Sequence, residues 1–158
     1  MMIRRMVAED IPQVEQIETS LFTDAWSKQG FLDTLHSPYA ISLVAVEEAC
    51  GSAEKGQARI LGYIIMYISF EEGEISNVAV AESAQNQGIG SSLLQAMLEI
   101  GGAVSVTRFI LEVRVSNEPA IALYNKYEFK QIGIRRDFYE KPREDALIMI
   151  REKETVKC

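Results

Sequence analysis

The segment Asn77-Val78-Ala79-Val80, followed five residues later by Gln85-Asn86-Gln87-Gly88-Ile89-Gly90 and then by Leu93-Leu94-Gln95-Ala96-Met97-Leu98, constrains the fold more than any other part of the sequence. A short apolar run, a turn with two glycines and a segment of helical apolar spacing read as strand, tight turn and helix. Such a turn leaves the first amides of the helix unpaired and facing outward, and the helix dipole adds partial positive charge there. The product is an anion site suited to phosphate. The turn has neither the lysine and Ser/Thr of a P-loop nor the third glycine of a dinucleotide fingerprint, which disfavours an ATPase or a Rossmann enzyme.

The rest of the chain supplies elements around this unit. Asp10 and Gln13 stand ahead of Val14, Ile17 and Leu21 at helical spacing, and the pair predicts a capped first helix. Ser27 predicts a second cap, with Phe31, Leu32 and Leu35 on one face before Ser37-Pro38 stops the helix. Strands are expected over 40–46, 60–70, 74–80, 108–113, 129–135 and 146–151, where β-branched, aromatic and aliphatic residues concentrate. Gly101-Gly102 closes the helix that begins at the glycine turn, and Asn117-Glu118-Pro119 opens a last helix carrying Ile121, Tyr124 and Tyr127. The segment 47–59 has almost nothing to bury and reads as a long hairpin loop, and 136–145 reads as a charged connection.

The order is strand, two helices, three strands, helix, strand, helix and two strands. It predicts an α/β fold with a mixed central sheet of about six to seven strands and helices on both faces. Strands 74–80 and 108–113, joined by a right-handed helical crossover, should be parallel neighbours with the glycine turn at the carboxyl end of the first. One domain over residues 1–152 with a short tail, 153–158, accommodates the length of 158 residues.

Composition narrows the functional classes. Apolar residues at 47% and charged residues at 25% are the balance of a soluble globular protein, and no apolar run reaches the ~20 residues of a membrane-spanning helix. No signal-peptide core follows the amino terminus, so a cytoplasmic location is expected. Cys50 and Cys158 suggest free thiols rather than a disulfide or metal framework. A net charge of −7 opposes nonspecific binding to nucleic acid or an anionic membrane and favours basic partners. With one histidine, His36, at a helix end, neither Ser/His/Asp catalysis nor a zinc site is indicated.

Two residues stand out for chemistry. Glu112 interrupts the apolar run Phe109-Ile110-Leu111-Glu112-Val113, facing either solvent or a functional cleft. Tyr124 shares a helix face with Ile121, where the ordinary role is a core aromatic. Their joint placement is more telling, since the strand carrying Glu112 adjoins the phosphate turn and the helix carrying Tyr124 leaves the same edge. A carboxylate base and a phenol acid suit transfer of an acyl group from a thioester to an amine, with no enzyme nucleophile required.

Nearly the whole chain resembles the GCN5-related N-acetyltransferases, through Asn77 to Val80, Gln85 to Gly90, Leu111-Glu112-Val113-Arg114-Val115-Ser116-Asn117 and Ala120-Ile121-Ala122-Leu123-Tyr124. More closely it resembles their RimI branch, whose members acetylate the N-terminal alanine of the eighteenth small-subunit ribosomal protein. Trp26-Ser27, the run Gly133 to Tyr139 and the run Glu144 to Met149 carry that closer likeness. The resemblance implies acetyl-CoA as cosubstrate and no metal. Val78, Ala79 and Val80 would meet the pantetheine arm, the amides of Asn86, Gln87, Gly88, Ile89, Gly90 and Ser91 the pyrophosphate, and Asn117 the cofactor as well. Glu112 would be the general base and Tyr124 the general acid, with Trp26, Arg135 and Tyr139 lining a groove for a basic N-terminal peptide of a ribosomal protein.

Where relatives usually carry one or two arginines in the turn, Gln85-Asn86-Gln87 brings no cation, leaving amides and a dipole contribution of about 0.3–2 kcal/mol. The expected activity is protein N-alpha-acetylation by direct transfer in a ternary complex. Acetylation of a small amine or a lysine side chain, and a noncatalytic acetyl-CoA-binding module, are the alternatives. The sequence leaves the oligomeric state open.

Overall fold

A computed structural model describes residues 1–48 and 58–152. The 153–158 tail, Cys50, Cys158 and most of the 47–59 loop lie outside the described residues. The chain forms β1 (Met2–Arg5), α1 (Ile11–Leu21), α2 (Lys28–His36), β2 (Ala40–Val46), β3 (Ile60–Ser69), β4 (Glu72–Val80), α3 (Ile89–Ala103), β5 (Arg108–Arg114), α4 (Glu118–Lys126), β6 (Lys130–Glu140) and β7 (Arg143–Glu152). Short 3-10 turns at Ala8–Asp10 and Glu82–Ala84 precede α1 and the glycine turn.

The seven strands make one sheet in the order β1-β2-β3-β4-β5-β7-β6. Every pairing is antiparallel except β4 with β5, which is parallel as the helical crossover requires. Alternation of side chains along the strands builds two cores. On one face Leu43, Ile64, Met66, Ile75, Leu111 and Val113 pack with Leu93, Leu94 and Met97 of α3. On the other Val44, Tyr63, Ile65 and Ala79 pack with Ile11, Val14 and Ile17 of α1 and Phe31 of α2.

Local chemistry explains the helix starts, with one correction. Ser27 accepts a bond from the Gly30 amide at 3.1 Å, and Asn117 accepts one from the Ala120 amide at 3.3 Å. Asp10 sits at the N-cap position of α1, but its side chain does not cap the helix. Arg4 holds it instead, at 2.7 and 2.9 Å, and it also accepts from the Val7 amide at 2.9 Å. Gln13 likewise does not complete a capping box: its side chain bonds the Ile60 amide at 2.9 Å and the Ala58 carbonyl at 3.0 Å.

A second correction concerns 136–145. This segment is not a free connection, because β6 continues to Glu140 and β7 begins at Arg143, joined by a tight turn. The resulting hairpin projects past β5 at the end of the sheet where the glycine turn lies.

What positions the site is a break in the sheet. Pairing of β4 with β5 runs from Glu72–Arg108 to Ile75–Leu111 and then ends, although both strands continue. The register between β3 and β4 slips at the same level, between Ile65 and Met66, placing a bulge around Ser76. Beyond it β4 keeps β3 as its partner on one side only. The two strands therefore part into a cleft, with Asn77 to Val80 on one wall and Glu112 to Arg114 on the other.

Candidate active site

At the head of the cleft stands the glycine turn. Gly88 is the N-cap of α3, at φ +77°, and no side chain caps the helix. A Cβ on Gly88 would meet nothing within 4 Å, so the space above the turn is open, but its φ is strained for any residue with a side chain. Asn86 shares this left-handed backbone at φ +63°. Asn86, Gln87 and Gly88 are exposed, whereas Ile89 is buried in the core and anchors the helix start. The Ser91 hydroxyl bonds the Tyr127 hydroxyl, and the Ser91 amide lies in the uncapped first turn of α3. Open space, uncapped amides and a fifteen-residue helix dipole behind them fit the diphosphate of a coenzyme A thioester.

Along the cleft wall, Ala79 is buried while Val78 and Val80 are half-buried. Their backbone edge on the β5 side has no strand partner, because the parallel ladder stops at Ile75. A linear amide chain such as pantetheine meets there the hydrogen-bonding pattern of an added strand. Asn117 is less available for a ligand than the sequence implies, since its side chain is engaged in capping α4.

Glu112 projects from β5 to the face opposite Leu111 and Val113, the side that α1 and α2 cover only over β2, β3 and β4. Its carboxylate is 20% exposed and lies 3.4 Å from the Arg135 guanidinium. Burial raises its pKa above the usual carboxylate value, Arg135 opposes that, and Glu74 reinforces it. A base readier to take a proton is the result. Tyr124 is 8% exposed and packs its ring against Phe129 at 5.8 Å. Burial, helped by Tyr139, pushes its phenol up to about 12. It therefore stays protonated at any physiological pH.

Tyr139, half-buried on β6, links the two. Glu112 acts electrostatically on Tyr139, and Tyr139 on Tyr124, so Tyr139 lies within reach of the charge of both. The Arg114 guanidinium sits 4.1 Å over the Tyr139 ring and fixes it there. Arg114 also donates to the Pro142 carbonyl at 3.0 Å and to Glu144 at 3.2 Å. Glu144 accepts in turn from the Ser116 amide at 2.7 Å, and these donors hold its pKa below the usual range. Arg114 and Glu144 thus tie the β6–β7 hairpin to the start of α4. Neither role was legible in the sequence, where each reads as one more surface charge.

Trp26 packs against Phe31 with ring centroids 5.5 Å apart and the planes tilted by 46°, and Thr23 of the same loop donates to the Lys141 carbonyl at 2.5 Å. The α1–α2 loop and the β6–β7 hairpin therefore meet, forming a wall beside the strand that carries Glu112. Arg135, exposed, approaches the Phe138 ring at 5.4 Å, and Phe138 meets Tyr139 edge-on at 5.0 Å. Of the residues expected from sequence, Arg135, Glu112, Tyr139 and Tyr124 lie within electrostatic reach in series, with Trp26 in the wall. Behind that wall lies Glu18, a buried carboxylate that helix periodicity gave no reason to single out.

A sheet that opens between two parallel strands over a glycine turn, with a carboxylate and two phenols at the opening, defines an enzyme that moves an acyl group from a coenzyme A thioester. Residues 11–129 match the family model for acetyltransferase (GNAT) family proteins, and the chain belongs to that family. It is 36% identical over 148 residues to the Bacillus subtilis protein named putative [ribosomal protein bS18]-alanine N-acetyltransferase, covering 93% of this chain and 92% of the relative. The Haemophilus ducreyi [ribosomal protein bS18]-alanine N-acetyltransferase is 32% identical over 151 residues, covering 94% and 97%. The crystal structure of the Escherichia coli ribosomal-protein-S18-alanine N-acetyltransferase superposes with a TM-score of 0.83 at 26% identity, covering 99% of this chain and 96% of that one. The chain is an N-acetyltransferase of RimI type by its relatives and by its fold.

Proposed function

We propose that this enzyme moves the acetyl group of acetyl-CoA to the N-terminal α-amine of a protein, the acceptor being an alanine at the head of a basic ribosomal-protein segment. The single observation that carries the reading is that Glu112, Tyr139 and Tyr124 lie within electrostatic reach in series beside the contact of the Trp26 loop with the β6–β7 hairpin, two segments we read as the walls of an acceptor groove. The names of the relatives support the same acceptor class.

In this reading the amides of Asn86, Gln87, Gly88, Ile89, Gly90 and Ser91 receive the diphosphate, and the unpaired edge of Val78, Ala79 and Val80 aligns the thioester arm. The acceptor reacts as the neutral amine, its ammonium proton already given up to solvent; the Glu112 carboxylate accepts the one proton that the nitrogen sheds as the amide forms and passes it through solvent to restore the Tyr124 phenol. The amine lone pair forms the new C–N bond to the acetyl carbon as the C–S bond breaks, and the Tyr124 hydroxyl delivers a hydrogen to the departing sulfur. Atoms and charge balance without an acetylated enzyme, so both substrates are bound at once. An α-amine with pKa about 7.7–8.0 suits a single carboxylate base better than a lysine at about 10.4, whose deprotonation costs roughly 3.5 kcal/mol more. Asn117 supports this site chiefly by starting α4, which carries Tyr124. The catalytic unit spans residues 1–152.

Initial rates test the proposal. With a peptide beginning Ala-Arg, double-reciprocal lines intersect, and kcat/KM exceeds that for spermidine or for an Nα-blocked lysine peptide by at least about 100-fold, the scale of a lost well-placed contact set. Parallel lines, or a preference for the polyamine, would remove the proposal.

A further inference from the structure

Glu18 is 2% exposed, yet it sits near the end of α1 with its carboxylate turned into the sheet. A carboxylate in such a place costs more than an apolar side chain of the same size unless every oxygen is well partnered. Here the donors come from three separate elements. The Tyr63 hydroxyl of β3 donates to Oε2, the Asn77 amide of β4 donates to Oε1 at 3.1 Å and to Oε2 at 3.3 Å, and the Trp26 backbone N–H donates to Oε1 at 3.4 Å. Asn77 follows the Ser76 bulge, two residues past Ile75, where the pairing of β4 with β5 ends. Trp26 belongs to the loop that walls the acceptor groove. One buried group therefore joins the donor side of the cleft to the acceptor side.

The geometry points to Glu18 as a positioning residue that sets the distance between the Trp26 wall and the β4 edge, and so governs acceptor binding. The inference rests on the N-terminal acetyltransferase reading for what the groove accepts, but not for the tether itself. Burial raises the Glu18 pKa, and the Trp26 and Asn77 donors only partly offset it. The bond to Trp26 is the longest of the set and the only one that reaches the loop. It is the first that a shortened side chain would lose.

Glu18→Asp keeps the charge and withdraws the carboxylate by one methylene, whereas Glu18→Gln keeps the reach and loses the charge. Trp26 is the sole tryptophan in the chain, so its fluorescence reports the loop without any substrate. For E18D, acrylamide quenching of Trp26 should rise about twofold and the KM for an Ala-Arg peptide about tenfold, with kcat within about twofold and acetyl-CoA affinity unchanged. E18Q should recover most of both effects. Wild-type quenching in E18D, or a decline of kcat, peptide KM and acetyl-CoA affinity in step with Tm in both variants, or failure of both to fold, would overturn the inference, each showing a residue that serves the fold alone. If the wild-type enzyme leaves the peptide unmodified, the acceptor assignment fails and quenching still decides the tether.

Discussion

Replacing Tyr124 by Phe removes one oxygen from the centre of the proposed chemistry and little else. The Tyr124 ring is buried against Phe129 and keeps its place as Phe, so packing loss is minimal. With the phenol at about 12 and a thiol of ordinary acidity at about 8.5, full proton transfer to the sulfur is uphill by about 3.5 pKa units, or about 5 kcal/mol. The hydroxyl therefore acts chiefly by hydrogen-bonding the charge that grows on sulfur, and gives up its proton late. A hydrogen bond to a charged group contributes about 1.5–3 kcal/mol, so Y124F should lose about 10- to 150-fold in kcat. Stopped-time assays of thiol release should show that loss with the acetyl-CoA KM within about twofold, since the substituted group touches developing charge and not the diphosphate. Because the phenol stays protonated through pH 10, both enzymes should share one alkaline limb in kcat. A kcat within twofold of wild type, or an alkaline limb near pH 9 that vanishes in Y124F, would refute the reasoning.

Other perturbations have equally definite outcomes. Glu112 has a folded pKa above its unfolded value of 4.5, so its contribution to stability is present below that value and is lost as pH rises through the folded pKa. Glu112→Gln should thus raise Tm at pH 8 by calorimetry, with the gain fading toward pH 4.5, while activity collapses; a lower Tm at pH 8 would contradict the burial argument. Arg135→Gln removes the cation that lowers the Glu112 pKa, so the acidic limb of kcat/KM should move to higher pH, by less than about one unit because the pair is partly screened by solvent. Movement to lower pH would exclude Glu112 as the titrating base. Gly88→Ala forces a side chain onto a φ of +77° and should cost about 1–2 kcal/mol and weaken acetyl-CoA binding in calorimetric titration. Asp10→Ala unpairs Arg4 and the Val7 amide, costing about 2 kcal/mol and lowering Tm by about 4–8 °C.

The elements that sequence made legible are those whose signal is local. The α3 unit announced itself through the glycine turn and helical spacing of Leu93, Leu94, Met97 and Leu98, and Ser27 and Asn117 cap helices as their positions implied. Asp10 occupies a cap position, yet its side chain is claimed by Arg4 across six residues, a competition that no local rule weighs. The ends of β6 and β7 were hidden for another reason. β6 is an edge strand, exposed along most of its length, and an edge facing water on both sides has no apolar alternation to read. Glu112 and Tyr124 were visible as an acid inside an apolar run and a tyrosine on an apolar face. Glu18 was not, because a glutamate in an amphipathic helix ordinarily faces solvent, and its partners Tyr63 and Asn77 are 45 and 59 residues away.

The cleft account depends on one division of labour, with amides and helix dipole gripping the donor while Glu112 prepares an α-amine at the groove's end. Mass spectrometry with fragment-level localisation tests it most directly, on an Ala-Arg peptide that also contains an internal lysine, incubated with acetyl-CoA and wild-type or E112Q enzyme. The account predicts a single acetyl group on the first residue's nitrogen with wild type, and its loss with E112Q. Acetyl on the lysine alone, or equal N-terminal modification by E112Q, would contradict it.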